Sequence, residues 1–478
     1  MTGPLWMSND AVAATHGRST TGWNASGVSI DSRAVKPGDL FVAIKGPNFD
    51  GHAFVGDALA RGAVAAVVSE RPEGLPPGAS LLVVKDPLAA LEDLARAARA
   101  RTSARVAAVT GSVGKTSTKE ALKLVLAAQG LTHASEGSLN NHWGVPLSLA
   151  RLPETAAYGV FELGMNHAGE LTPLSKLVRP HVAIITTIEA VHLEFFDSVD
   201  DIAAAKAEVF AGIEKNGVAV LNQDNDYFGY LTRQALARGA AQVVGFGSGK
   251  GAWAQLIGYE PNESGARIDA EIGGKRIAFT IAAPGRHWAL NSLAVLAGAV
   301  HLGADLEAAA AALATMTAPK GRGARHSIAL DDGAFTLIDE SYNASPAAMR
   351  AAFAVLASIP PGQNAQGANG RRIAILGDML ELGSDSAVLH AALAPDLAAA
   401  ATMVCTAGRD MGALYEALPR EMRAGHAAKA EELLPLVRKL IRPGDVVMVK
   451  GSHGSRMGLI VDALLAATAP NKSAANGR

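Results

Sequence analysis

The sequence predicts an α/β protein of several domains, and three observations lead there. The chain is 478 residues long, more than one ordinary domain holds. In its middle and last thirds, short apolar runs alternate with helix-forming stretches, the rhythm of a doubly wound sheet. Between Val109 and Thr118 the stretch VTGSVGKTST sets a glycine-containing loop between an apolar strand and an amphipathic helix. A hydrophobic fraction of 49% with 18% charged residues describes a well-cored globular chain. The net charge of −2 gives no reason to expect nucleic acid or an anionic membrane as partner. Cys405 is the only cysteine, so no disulfide can form within one chain, which fits the cytoplasm. The opening MTGPLWMSND has neither a basic region nor a long apolar run, so no secretory signal is expected. No stretch approaches the roughly 20 apolar residues of a membrane span.

The elements follow in order. Up to about residue 90, VSIDSR and DLFVAI read as strands, PGD and GPNFDG as turns. Phe54–Arg61 and Leu88–Ala100 read as alanine-rich helices, with a boundary near Arg101–Arg105. Val106–Val109 is a buried strand, and Thr116–Gln129 a helix with Ala121, Leu122, Val125 and Leu126 on one face. AYGVFEL, HVAIITTI, GVAVLN and AQVVGFG are further strands, and the helix-rich Ala289–Ala312 leads to a second break near Ala318–Gly323. FTLIDE, RRIAILGD, TMVCTAG and DVVMVKG are the strands of the last third. Ser345 before Pro346 is an N-cap with proline at the first helical position. PPGQNAQGANG reads as a flexible loop without function, and the tail APNKSAANGR as disordered.

The loop from Gly111 to Ser117 carries the strongest chemistry. Glycines at 111 and 114 let backbone N–H groups turn toward an anion, and the following helix start adds its positive dipole end. Lys115 can set a point charge on terminal phosphates, and the Thr116 hydroxyl can ligate magnesium. Val109 stands where the longer P-loop pattern has a glycine, so this is the short G-x-x-G-K-[ST] form. A second glycine-rich stretch, Gly245–Gly251, precedes a strand-like AWAQLIGYE instead of a helix, lacks the dipole, and reads as a plain loop.

Strand ends supply the other candidates, because ligands of open α/β sheets bind beyond the carboxyl ends of strands. Glu162 closes YGVFE, where it is either a magnesium ligand or a surface glutamate. His192 follows HVAIITTI, and Lys206 lies on a helix capped by Ser198 with Asp201 three residues on. By spacing alone these two are a loop histidine and an exposed lysine. Arg322 and Arg325, at the second break, could close over a phosphate or simply face water. Asp339 and Glu340 end a strand before Tyr342, and Lys450 ends the last one.

Taken together these motifs resemble the Mur ligases of peptidoglycan synthesis, over about residues 20 to 465. Asp31-Ser32-Arg33 and Phe49-Asp50-Gly51-His52 resemble the family's UDP-sugar segment. TGSVGKTSTKE resembles its short P-loop, and Asn140-Asn141 with Gly144-Val145-Pro146-Leu147 its asparagine-rich substrate segment. Tyr342-Asn343-Ala344-Ser345-Pro346 and Leu376–Gly383 resemble signatures of the branch that adds D-Ala-D-Ala, and the Asp-Asn-Pro-Arg motif of the diamino-acid-adding branch is absent. Three positions depart from the pattern: Ser138 and Trp288 stand where asparagines are usual, and Glu340 where an aspartate is.

The resemblance implies three domains: a small α/β UDP-binding domain (1–102), a central P-loop mononucleotide-binding domain (103–319) and a C-terminal Rossmann-like α/β domain (320–478). It implies ATP held by Gly111, Ser112, Val113, Gly114, Lys115, Thr116, Ser117, His287, Asn291, Arg322, Arg325 and Asp339. Two magnesium ions would be held by Thr116, Glu162, His192 and a carbamylated Lys206, and Lys115 would join Glu162, His192 and Lys206 in catalysis. A UDP-muramoyl tripeptide would meet Ser32, Arg33, Asp50, His52, Asn140 and Asn141; D-Ala-D-Ala would meet Tyr342, Asn343, Ala344 and Ser345. The implied enzyme is a cytoplasmic monomer that activates a carboxylate with ATP. A sister ligase adding a diamino acid, a folate polyglutamate ligase and a P-loop switch with a protein partner are the rival readings.

Overall fold

The computed structural model describes residues 3–191, 193–262, 265–283, 285–363 and 367–466. His192, part of the 360–370 loop and the 469–478 tail therefore lie wholly or partly outside the described residues. The chain clusters into two compact units: Met1–Thr186 with Ala204–Phe246 and Ala294–Ala309, and Thr187–Ala203 with Gly247–Leu293 and Ala310–Arg478.

The first unit holds two larger sheets beside a two-stranded one that pairs Trp6–Met7 with Asn24–Ala25. One runs in the order Arg18–Ser19, Leu81–Val83, Ala65–Val68, Asp39–Val42, Gly27–Ser29, parallel except for its first strand. Ala65–Val68 is buried along its whole length, as strands covered on both faces must be. The helix Pro87–Arg101 covers it, starting where the Asp86 carboxylate accepts from the Leu88 N–H (2.8 Å) with proline at the first helical position. The second sheet is parallel, in the order Thr132–Ala134, Tyr158–Glu162, Arg105–Thr110, Val182–Ile185, Val218–Asn222, Gln242–Gly247. Its strands match the apolar runs within a residue or two, except that the run HVAIITTI continues three residues past the strand Val182–Ile185 and that Thr132–Ala134 is too short to carry a periodic signal.

The expected boundary at residue 102 runs through this unit, whose two sides are tied together by side-chain links. The Trp6 indole N–H donates to Ala150 O (2.8 Å), and the Arg101 guanidinium lies 4.1 Å from the centre of the same ring. Arg99, buried, donates to Val178 O and Arg179 O, both at 2.8 Å. Arg151 Nε donates to Val28 O (2.7 Å).

The second unit contains a sheet in the order Ala324–Leu330, Gly333–Glu340, Val446–Lys450, Arg372–Gly377, Met403–Ala407, Arg423–Ala427, parallel except for its first strand. Val446–Lys450 returns between two earlier strands, so chain order reverses there, the place where such sheets bind ligands. The unit also holds an antiparallel ladder, Ala254–Asn262, Gly265–Ile272 and Lys275–Ile281. Its last turn uses Gly273 and Gly274 at φ 58° and 82°, a glycine pair at positive φ of the kind that closes tight hairpins. Of the stretch Gly245–Gly251, the first three residues end strand Gln242–Gly247 and only the rest is the expected loop, which leads into strand Ala254–Asn262 and not into a helix.

His181 gives the first unit a pH dependence. Its Nδ1 accepts from the Val106 N–H (3.0 Å), and burial, with Arg105 and Arg99 nearby, lowers its pKa to about 4. The folded chain keeps this ring neutral while the unfolded chain protonates it at its ordinary pKa. Its contribution is whole above about pH 6.5 and disappears as pH falls from there toward 4. The urea midpoint should therefore drop more between about pH 7 and pH 5 in the wild type than in His181→Gln. Equal drops would remove His181 as the cause.

Candidate active site

The site is built on the carboxyl edge of the first unit's parallel sheet. Strand Arg105–Thr110 ends at Gly111, whose φ is 144°; a Cβ there would lie 1.9 Å from Thr186 Oγ1. Thr186 follows the neighbouring strand, and its hydroxyl donates to Val113 O (2.6 Å), tying the loop to that strand. Gly114, at φ 89°, opens the helix Lys115–Ala127 with no side-chain cap. The first N–H groups of that helix therefore keep their capacity for an anion. Lys115 Nζ lies 2.7 Å from Gly111 O and 3.3 Å from Ser112 O, folded onto its own loop. Ser112, Thr116 and Ser117 are buried.

Glu162 lies beside this loop, its backbone in register with Val109. Its side chain is buried; Asn140 Nδ2 donates to Oε1 (2.8 Å), and its own N–H donates to Ser135 Oγ (3.1 Å). Oε2 is buried too and has no hydrogen-bond partner among the described residues. An unsatisfied carboxylate oxygen is costly to bury, and a cation would satisfy it. Among the described residues no three His, Cys, Asp or Glu side chains form a metal cage. A magnesium ion, which binds through one or two carboxylates plus phosphate and water, fits Glu162 and Thr116.

Lys206, expected from spacing to be exposed, is 1% exposed in the last turn of helix Val199–Ala207. Burial first, and the charge of Lys115 second, push its pKa well below the ordinary lysine value. Among the described residues it has no acidic partner. Ser198 caps this helix as expected, accepting from the Asp201 N–H (3.2 Å). Lys119 escaped the sequence reading: it is fully buried, and its ammonium donates to Ser135 O (2.8 Å) and Gly137 O (3.1 Å). It braces the segment that carries Ser135 under Glu162.

The two asparagines divide their work. Asn140 orients Glu162, while the Asn141 carboxamide oxygen accepts from Trp143 N (3.2 Å) and Gly144 N (2.9 Å) at the start of helix Gly144–Ala150. Ser32, Arg33, Asp50 and His52 all follow strand ends of the other sheet of this unit. Arg33 makes a two-pronged contact with Asp31, at 2.9 and 2.8 Å, in the open. His52 has both nitrogens engaged: Nε2 accepts from Ser69 N (2.9 Å), so Nδ1 carries the proton toward Asp50 Oδ1 (2.7 Å).

In the second unit, Asp339 is fully buried with both oxygens taken. Oδ2 accepts from Gly321 N (2.8 Å), and Oδ1 from Ser341 N (3.1 Å) and Ser341 Oγ (2.6 Å). Its carboxylate braces the turn that carries Arg322, whose guanidinium lies 4.1 Å from the centre of the Tyr342 ring. Arg325 is half-buried on strand Ala324–Leu330, and loss of solvation lowers its pKa. His287 and Asn291 lie on helix Arg286–His301; burial lowers the His287 pKa against the opposing pull of Glu340. Asn343 Oδ1 accepts from Ala344 N (2.9 Å), and Ser345 caps helix Pro346–Ser358 by accepting from Ala348 N (3.3 Å).

A short phosphate loop, a buried carboxylate with one open oxygen and a desolvated lysine define a P-loop nucleotide-binding α/β protein. Comparison with known proteins narrows this. Three family models match: the Mur ligase family catalytic domain over residues 24–99, the Mur ligase middle domain over 109–299, and the Mur ligase glutamate ligase domain over 321–453. The chain is 35% identical to a UDP-N-acetylmuramoyl-tripeptide–D-alanyl-D-alanine ligase of Rickettsia prowazekii, covering 96% of this chain and 99% of that one. It is 36% identical to the enzyme of that name from Escherichia coli, covering 91% and 93%. Among solved structures, MurF from Acinetobacter baumannii superposes with a TM-score of 0.82 at 31% identity, covering 96% and 99%. MurF ligase from Thermotoga maritima in complex with ADP gives 0.74 at 25%, covering 92% and 96%. The chain belongs to the Mur ligase family.

The Gly111–Thr186 contact predicts that Gly111→Ala weakens nucleotide binding at least about tenfold, because loop and hydroxyl cannot both stay in place. Titration with a fluorescent ATP analogue checks this, and unchanged affinity would show that the loop can shift freely.

Proposed function

We propose that this chain joins D-Ala-D-Ala to a UDP-N-acetylmuramoyl tripeptide at the expense of ATP, as the reaction in its relatives' names states. What carries the reading is that relatives so named match 91 to 96% of the chain at 35 to 36% identity. A carboxylate is a poor acyl donor at neutral pH. Its oxygen attacks the γ-phosphorus of ATP, ADP departs, and an acyl phosphate forms. The dipeptide amine then attacks the carbonyl carbon and loses a proton, inorganic phosphate departs, and the amide remains.

Both partners of the first step are anionic, so neutralising charge matters most. The Gly111–Ser117 loop would bind the phosphates through its N–H groups, and Lys115 would leave its own carbonyls to reach the terminal phosphate. Thr116 and Glu162 would hold magnesium, which when bound withdraws charge from phosphate oxygens. His192 and Lys206 are assigned to a second ion. Lys206 suits this only when modified. Its desolvated amine can add CO₂ and lose a proton, and the carbamate so formed is an oxygen ligand instead of a repelling cation.

The remaining assignments are also part of the proposal. Ser32, Arg33, Asp50 and His52 meet the UDP moiety, with His52 ordering the loop through Asp50 and Ser69. Asn140 and Asn141 serve the muramoyl peptide, Asn140 through its hold on Glu162. Arg322, Arg325, Asp339, His287 and Asn291 serve ATP, Asp339 by bracing the turn of Arg322. Tyr342, Asn343, Ala344 and Ser345 serve the dipeptide. The three domains divide at 102/103 and 319/320, and the enzyme works as a monomer in the cytoplasm, where its nucleotide-linked substrates occur.

Phosphate release should require ATP, a UDP-muramoyl tripeptide and D-Ala-D-Ala together. Running the assay with lysine and with meso-diaminopimelate as third residue identifies the tripeptide; release without the dipeptide would point to another reaction. Lys206→Ala should be nearly inactive and partly rescued by formate or acetate, whereas Lys206→Arg should not be rescued because its charge and bulk remain. Magnetic resonance with isotope-labelled bicarbonate gives a readout independent of turnover: a carbamate signal in the wild type and none in either variant. Full activity of Lys206→Ala without additions would sink the assignment.

A further inference from the structure

We infer that Lys450 is a positioning residue for the segment Tyr342–Ser345, and that through it the turn Lys450–His453 sets the enzyme's grip on the dipeptide. The inference rests on the proposed reaction. Lys450 ends strand Val446–Lys450, and Glu340 ends the strand paired with it; the two are in register. The lysine is 2% exposed, yet its amine is well partnered: 3.1 Å from Glu340 Oε2 and 3.0 Å from Asn343 O. One contact settles the buried charge, and the other reaches the backbone of the segment assigned to D-Ala-D-Ala. Two more contacts follow in the same direction. Ser452 Oγ donates to Ala344 O (3.4 Å) while accepting from Leu380 N (2.9 Å), and the His453 ring lies 5.6 Å from that of Tyr342. Three consecutive residues of one loop are thus each held by a side chain of the other. An ion pair that served stability alone would need only Glu340. The bond to Asn343 O fixes where that peptide unit points, and therefore where Asn343 presents its carboxamide.

The two roles separate by substitution. Lys450→Met removes both contacts and leaves Glu340 charged and buried, so it should lower the thermal midpoint. It should also raise the KM for D-Ala-D-Ala by about tenfold or more, the usual worth of a hydrogen bond to a charged group. The KM for the UDP-muramoyl tripeptide should stay within about twofold, because that substrate is bound elsewhere. Lys450→Met with Glu340→Gln removes the buried charge. Its thermal midpoint should recover, while the dipeptide KM stays raised because Asn343 O still lacks its donor. Lys450→Arg should recover part of the KM. Recovery of midpoint and dipeptide KM together in the double variant would overturn the inference, as would equal KM changes for all substrates. If Lys450→Met does not fold, the double variant against Glu340→Gln alone makes the same comparison. A wild type that releases no phosphate in response to D-Ala-D-Ala would overturn the reaction itself, a result distinct from either.

Discussion

Lys206 is buried in the last turn of its helix, burial and then the charge of Lys115 lower its pKa, and among the described residues no acid neutralises it. Much of the site can be understood from this arrangement. Two like charges close together favour the neutral form of the more buried amine, and burial pushes the same way. The same arrangement attracts anions, and the phosphate loop supplies N–H groups to receive them. Glu162 is the complementary group: a carboxylate held beside the loop with one oxygen open. A lysine on the loop, a carboxylate oxygen on Glu162 without a hydrogen-bond partner among the described residues and a desolvated Lys206 thus belong to one unit of the chain.

Rigidity makes this balance workable. Each group is held by an element that has little freedom of its own. Thr186, just past the end of the next strand, ties the loop through Val113 O. Asn140 and Ser135 hold Glu162 from the opposite side, and Lys119 pins the segment containing Ser135. Groups on strand ends can be placed more accurately than groups on free loops, and phosphoryl transfer depends chiefly on placement and charge.

The parts legible in the sequence are those whose chemistry is local. The phosphate loop declares itself because strand, glycines, lysine and helix are contiguous, and Ser198 and Ser345 because a cap and its partner lie three residues apart. Lys206 was not legible from spacing. Its burial comes from what its helix packs against, which periodicity does not encode; only the family resemblance singled it out. Asp339 shows the reverse problem. An acid at a strand end looks available to a ligand, but the Gly321 N–H that occupies it comes from 18 residues away. The ladder Gly265–Ile281 has local signals of its own: charged and buried apolar residues alternate along Gly265–Ile272, and a glycine pair at positive φ closes the turn into Lys275–Ile281.

Trp288 shows how a departure from the family pattern can be absorbed. An asparagine there would offer a polar side chain; the tryptophan is 4% exposed and belongs to the packing of the second unit. Gly323, at φ 101°, passes close by: a Cβ on it would lie 3.9 Å from Trp288 Nε1 and 3.2 Å from Glu340 Oε1. The indole thus backs the turn that carries Arg322, the same turn that Asp339 braces through Gly321 N. The proposed contacts to phosphate are carried by other residues, so the departure bears on how this turn is supported.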